Sequence, residues 1–156
     1  MKYKLPLITA LILPLTCFAR LGETKEQLDA RYGKPIKENA GQFTNYTYQK
    51  NGYEFWFSMH DGKAEEMSVR NVEGSTLSPS EIEIFLRKNS LNDGFQLFRK
   101  SPNEDFYYEA VSNRHAFYEG GRLLIQTQRA IQDHIKFLKS LKTGLEDEEK
   151  NNTKDF

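Results

Sequence analysis

QFTNYTYQKNGYEFWFSMHDGKAEEMSVRN, residues 42–71, is the stretch from which the fold follows. Three alternating runs, 42–49, 53–60 and 64–71, are separated by Lys50, Asn51 and Gly52 and then by Asp61, Gly62 and Lys63. Asn-Gly and Asp-Gly supply the positive φ that tight hairpin turns need, so the runs are predicted to pair as two successive antiparallel hairpins. Side chains alternate across a strand. Tyr53, Phe55, Phe57 and Met59 therefore share one face, and Glu54, Trp56, Ser58 and His60 share the other. A sheet with one apolar face needs a layer to cover it, and the flanking sequence supplies that layer.

Upstream, RLGETKEQLDARYGKP (20–35) begins a short helix with a capping box, Thr24 and Gln27, and ends it with Gly33 and Pro35. Leu28 and Tyr32, one turn apart, form its buried edge. Downstream, LSPSEIEIFLRKN (77–89) repeats the arrangement: Ser78 as N-cap, Pro79 at the first helical position, Glu81 completing the box and Leu77 placed to staple against Ile82. Further strands are predicted at 94–100, 105–111, 115–119 and 122–127, with Gly120 and Gly121 turning the last hairpin. A third helix follows at 128–143, with Ile131, Ile135, Leu138 and Leu141 on one stripe. From 144 to 156 the chain is charged and aperiodic and reads as a disordered tail.

The order helix, strand, strand, strand thus occurs twice, over 20–72 and 77–143, and Leu21 and Leu77 stand at equivalent places. The expected fold class is α+β: one antiparallel sheet of about six to seven strands, packed with two short helices and a C-terminal helix. No long linker separates the two units, so they are expected to form a single domain, 20–143, whose sheets join.

Residues 1–19, MKYKLPLITALILPLTCFA, place Lys2 and Lys4 ahead of an apolar run, followed by Cys17 and Ala19 two apart. That is the layout of a secretory signal peptide cleaved after Ala19. Cleavage would leave a chain without cysteine, and so without disulfides, thiolate ligands or a cysteine nucleophile. Outer-membrane anchoring through an acylated Cys17 is the lesser alternative, because Pro14, Leu15 and Thr16 are a poor context for it. The processed chain carries 20 basic and 22 acidic residues. It has no basic excess to favour nucleic acid.

The pattern GxTxxQLxxRYGxP, carried by Gly22, Thr24, Gln27, Leu28, Gly33 and Pro35, precedes an aromatic hairpin with Tyr48, Tyr53, Phe55 and the turn at Asp61 and Gly62. In this it resembles small envelope modules of the SmpA/OmlA type, within the wider group that shares the fold of the β-lactamase inhibitor protein. The resemblance covers 20–72 directly and 77–127 through the internal similarity. It implies helices layered on an antiparallel sheet and a function by binding, without chemistry. It carries over neither the inhibitors' disulfides nor their contact residues.

Sites for chemistry are sparse. His60, His115 and His134 are the only histidines, and none has a ligand partner at helical spacing, so neither a metal nor another cofactor is expected. No GxSxG elbow or phosphate cradle is present. Glu65 and Glu66 read as the protection of a sheet edge. The candidate binding residues are Trp56, Tyr46, Tyr48 and His60, with Trp56 on an open sheet face beside the two tyrosines or their cross-strand neighbours, or else covered by the third helix or the second unit. The expected function is an exported, non-enzymatic binding or scaffold protein of a bacterial envelope whose partner is another protein. The alternative is a small periplasmic hydrolase or ligand carrier using His60 or His115 with nearby carboxylates. Attraction of the last helix to membranes is expected to be weak, because the acidic tail offsets its cations.

Overall fold

Asn51 and Gly52, with φ of 53° and 83°, and Asp61 and Gly62, with 47° and 77°, form the two tight turns and pin the register of the strands they join. The computed structural model describes residues 20–91 and 94–152. The expected leader, 1–19, lies outside the described residues, as do 153–156 of the expected tail.

The elements run α1 (Lys25–Tyr32), β1 (Lys37–Asn39), β2 (Thr44–Lys50), β3 (Tyr53–His60), β4 (Lys63–Asn71), α2 (Pro79–Asn89), β5 (Gln96–Lys100), β6 (Glu104–Glu109), β7 (Arg114–Glu119), β8 (Arg122–Thr127) and α3 (Gln128–Asn152). All eight strands form one antiparallel sheet in the order β1-β2-β3-β4-β8-β7-β6-β5. Each half is a helix followed by a four-stranded meander, and the halves meet where β4 pairs with β8, Glu66 opposite Gln126 and Arg70 opposite Arg122. The α+β class and the single joined sheet are as expected from the sequence. The strand count is eight, one above the expected range. The added strand, β1, is three exposed residues, Lys-Glu-Asn, paired antiparallel with β2, so no apolar alternation announces it.

Both capping boxes form: Thr24 with Gln27 at α1, and Ser78 with Glu81 at α2. Gly33 ends α1, its N–H donating to the Asp29 carbonyl at 2.8 Å. α1 and α2 lie on the same side of the sheet. They bury Leu28, Tyr32, Ile82, Phe85 and Leu86 against Tyr48, Phe55, Phe57, Met67, Val69, Leu123 and Ile125. Tyr32 is the hub in the first half, its ring centroid 4.8 Å from Phe55, 5.4 Å from Tyr48 and 5.6 Å from Phe57. Glu109, fully buried, ties α2 to the second half by accepting hydrogen bonds from the Ser90 and Ser112 hydroxyls and from the Leu91 N–H.

α3 lies on the opposite side of the sheet. It continues as helix to Asn152, past the boundary at 144 where the sequence suggested a tail. Gly144 costs a helix only about 1 kcal/mol relative to alanine, which the neighbouring good helix formers offset. Among the described residues, no helix is long and apolar enough to cross a membrane.

Candidate functional site

The two faces of β2 separate the candidate residues. Tyr46 stands opposite Phe57 and Tyr48 opposite Phe55, while Trp56 stands opposite Thr47. Residues directly opposite one another in an antiparallel pair share a face. Tyr46 and Tyr48 are therefore core residues under α1, not neighbours of Trp56. Tyr48 donates its hydroxyl to Asp29 at 2.8 Å, and burial, followed by that bond, pushes the phenol well above its ordinary pKa. Both tyrosines leave the candidate binding set.

His60 is also removed from the surface. It is 2% exposed, and its ring stacks on Phe43 at 4.0 Å. Its Nδ1 donates to Asp133 Oδ2 of α3 at 3.0 Å, and Ser58 Oγ lies 3.5 Å from its Nε2. The hydrogen bond from His60, with Lys136 adding charge, holds the Asp133 carboxyl below the usual carboxylate range. One residue along α3, His134 Nδ1 faces Glu66 Oε2 at 3.6 Å, and Glu66 Oε1 accepts from Gln126 at 3.0 Å. Arg129 reaches the Asp61 carboxylate and closes the end of the cluster. Glu66 is thus an interior residue of a central strand, and the edge-protection reading of Glu65 and Glu66 fails because β8 covers that edge. A β-bulge sets their positions: Ser58 pairs with Glu66 but Met59 with Ala64, so Glu65 is the extra residue, its carboxylate accepting from Thr127 at 2.6 Å.

The chain Ser58, His60, Asp133 has the connectivity of a nucleophile, a base and the carboxylate that orients it. Its setting is different, since Ser58, like His60, is only 2% exposed. As it stands, the cluster is a polar clamp that holds α3 on the sheet. His115 is not drawn into it. It lies in the Ser58 row on the same face but three strands away, opposite Gln126, about 14 Å at ordinary strand spacing. His60 and His115 therefore do not approach one another, and of the two only His60 has a carboxylate, Asp133, placed against its ring. Among the described residues no cluster of three or more metal-ligating side chains forms.

What the register does assemble is a row. Thr47, Trp56, Ser68, Leu124, Phe117 and Phe106 stand opposite one another on six consecutive strands, on the face away from α1 and α2. Phe106 stacks on Phe117 at 4.9 Å, and Phe98 extends the row across β5 with its ring 5.6 Å from Phe106. Trp56, Leu124, Phe117 and Phe106 are half-buried and Phe98 is 74% exposed. One flanking row is charged, Glu54, Arg70, Arg122, Glu119 and Glu104, with Arg70 on Glu54 and Arg99 on Glu104 as ion pairs. The other flanking row is polar and passes under α3 at its Ser58 end. At its far end, His115 packs against Tyr108 at 5.1 Å, and burial lowers the pKa of its imidazole. Trp56 is the one member named from sequence. Phe98, Phe106, Phe117 and Leu124 join it only through strand order, although the alternation of Phe106 with Tyr107 and of Phe117 with Tyr118 was a local sign.

No family model and no curated protein matches the chain. Three solved structures have partial likeness. A cysteine-rich secretory protein from Staphylococcus aureus subsp. aureus Mu50 is 11% identical with a TM-score of 0.42, over 71% of this chain and 46% of that one. A DUF4309 family protein from Bacillus subtilis subsp. subtilis str. 168 is 18% identical with a TM-score of 0.39, over 67% and 78%. An extracellular protein containing an SCP domain from Bacillus anthracis str. Ames is 14% identical with a TM-score of 0.39, over 85% and 51%. The chain thus spans about half the length of the first and third.

Proposed function

We propose that the protein is an exported, non-enzymatic binding module of a bacterial cell envelope that recognises another protein through the open face of its sheet. The observation that carries this reading is the aromatic row from Trp56 to Phe98. Aromatic side chains supply large contact area at low entropic cost and dominate protein-recognition hot spots, and a polar or charged rim is the usual frame for such a patch. The charged row from Glu54 to Glu104 provides that rim on one side. The leader-like residues 1–19 and the SmpA/OmlA-like stretch 20–35 support the envelope setting.

The test is site-specific photo-crosslinking in the producing cell. A photoreactive residue at Phe98 or Phe106 is expected to trap a discrete partner, and one at Glu83 on α2 is expected to trap none. Equal trapping at all three positions, or none at any, overturns the reading.

A second reading, the hydrolase, is favoured by one observation, the Ser58, His60, Asp133 connectivity. It requires α3 to lift off the sheet so that Ser58 meets a substrate. A fluorophosphonate that modifies Ser58 in the wild type and not in His60→Ala would support it, and an unmodified Ser58 ends it.

A further inference from the structure

α2 does not close over the whole of its half of the sheet. Between it and β6 a groove of about 540 Å³ stays open, with Ile82 and Leu86 of the helix on one side and Phe95 and Tyr107 on the other. Ile82 and Leu86 are buried, while Phe95 and Tyr107 are half-buried. Leu97 stands opposite Tyr107, and so on the same face, and is 51% exposed. Leu91, at the end of the groove, is 63% exposed. Arg87, Ser90 and Leu91 also line a second cavity of about 400 Å³, so the two spaces are continuous.

Charge selects what the groove holds. Arg20, Arg87, Lys88 and Arg114 line the second cavity, and among the described residues no carboxylate does, in a chain whose acidic and basic residues balance. The end of a helix accounts for one cation. Arg114 fills that role by donating Nη1 to the carbonyl of Asn89, the last residue of α2, and Glu109 and Glu65 offset its charge. Arg20 and Arg87 remain. Both are exposed, and among the described residues neither has an acidic partner. Guanidinium groups so placed suit a carboxylate or a phosphate, which each can grip with two parallel hydrogen bonds. Glu83, one turn before Arg87 and lining the apolar groove, directs an anionic head away from itself and toward the arginines. A free inorganic anion would leave the groove bare, and a neutral lipid would leave the arginines unpaired. A peptide would have to satisfy its backbone among apolar walls. We infer that the protein binds a single-chain anionic amphiphile, its carboxylate or phosphate head held by Arg20 and Arg87 and its hydrocarbon chain laid along Leu86, Phe95 and Tyr107. The site lies on the α2 side of the sheet and leaves the aromatic row on the other face free, so it stands or falls apart from the protein-binding reading.

The experiment uses the protein expressed with its own leader, purified as the cell processes it and stripped of lipid. Calorimetric titration with laurate below its micellar range is expected to show saturable binding of one molecule per chain. Octanoate is expected to bind at least tenfold more weakly, because the methylenes it lacks are the ones the groove takes from water. Arg20→Glu with Arg87→Glu, and separately Leu91→Glu, are each expected to weaken laurate binding at least tenfold with the unfolding midpoint unchanged. Leu138→Glu, on α3, is expected to bind laurate as the wild type does. Lauroyl lysophosphatidylglycerol distinguishes the heads: tighter binding than laurate, lost in the double arginine variant, assigns a phosphate, and weaker binding assigns a carboxylate. Dodecyltrimethylammonium or dodecyl maltoside binding as tightly as laurate overturns the proposal, as does inorganic phosphate doing so. Laurate binding that never saturates, or that both groove variants leave unchanged, overturns it too. Flotation with phosphatidylglycerol vesicles in the absence of saturable laurate binding would instead assign the arginines to a membrane surface.

Discussion

The two faces of the sheet are built from the same strands and treated in opposite ways. On one face, α1 and α2 seal Tyr48, Phe57, Met67, Leu123 and Ile125 to full burial. On the other, α3 clamps only the end that holds Ser58, His60 and Glu66, and the aromatic row beside it stays open. The apolar content of a strand therefore does not distinguish core from working surface in this protein. Helix placement does, and it is fixed by polar contacts: Glu109 anchors α2 to the second half, and Asp133 anchors α3.

That contrast can be broken most severely at Phe57. Phe57→Ala should cost about 3–5 kcal/mol in denaturant unfolding, as expected for a large side chain removed from a sealed core. The matching change on the open face, Phe106→Ala, should cost well under half as much. Equal losses would mean that the row is packed as tightly as the core. Glu109→Ala should come next, at about 2–4 kcal/mol, because it removes a fully buried carboxylate and the hydrogen bonds it accepts from two half-buried hydroxyls and an amide.

The clamp gives a smaller effect with a pH signature. Asp133 is held below its usual range, so the stability it contributes is fully present above the unfolded carboxylate value, about pH 4, and is lost as pH falls through the folded value. Asp133→Asn should flatten that acid limb of a stability against pH curve and leave the core's thermal transition near neutrality little changed. An unaltered acid limb would show that His60 does not hold the carboxylate. Smallest of all, Ser78→Ala should remove about 1 kcal/mol by opening the α2 cap. Thermal unfolding measured on that variant and on Thr24→Ala compares the caps of the two halves.

What the sequence disclosed was local. Hairpin turns at Asn51-Gly52 and Asp61-Gly62 and the two capping boxes are set by residues within a few positions of one another, and all of them form. The misplacement of Tyr46 and Tyr48 was an error of register: alternation sorts residues within a strand, but only pairing says which face of the next strand matches. The contact between His60 and Asp133 spans 73 residues, and no pattern near either residue signals it. The same holds for the row, which requires knowing that β4 lies beside β8.

The seam between those two strands also orders the events of synthesis. The chain emerges N-terminus first, so α1 and β1 to β4 are complete before the partner strand exists. Until Gln126 arrives, 60 residues after the Glu66 it meets, β4 is a bare edge carrying Met67 and Val69. Loop closure over that distance is slow compared with the hairpins on either side of it. A nascent first half is therefore a species with an exposed apolar template. The interval before β8 docks is when this chain is most open to pairing with the wrong strand.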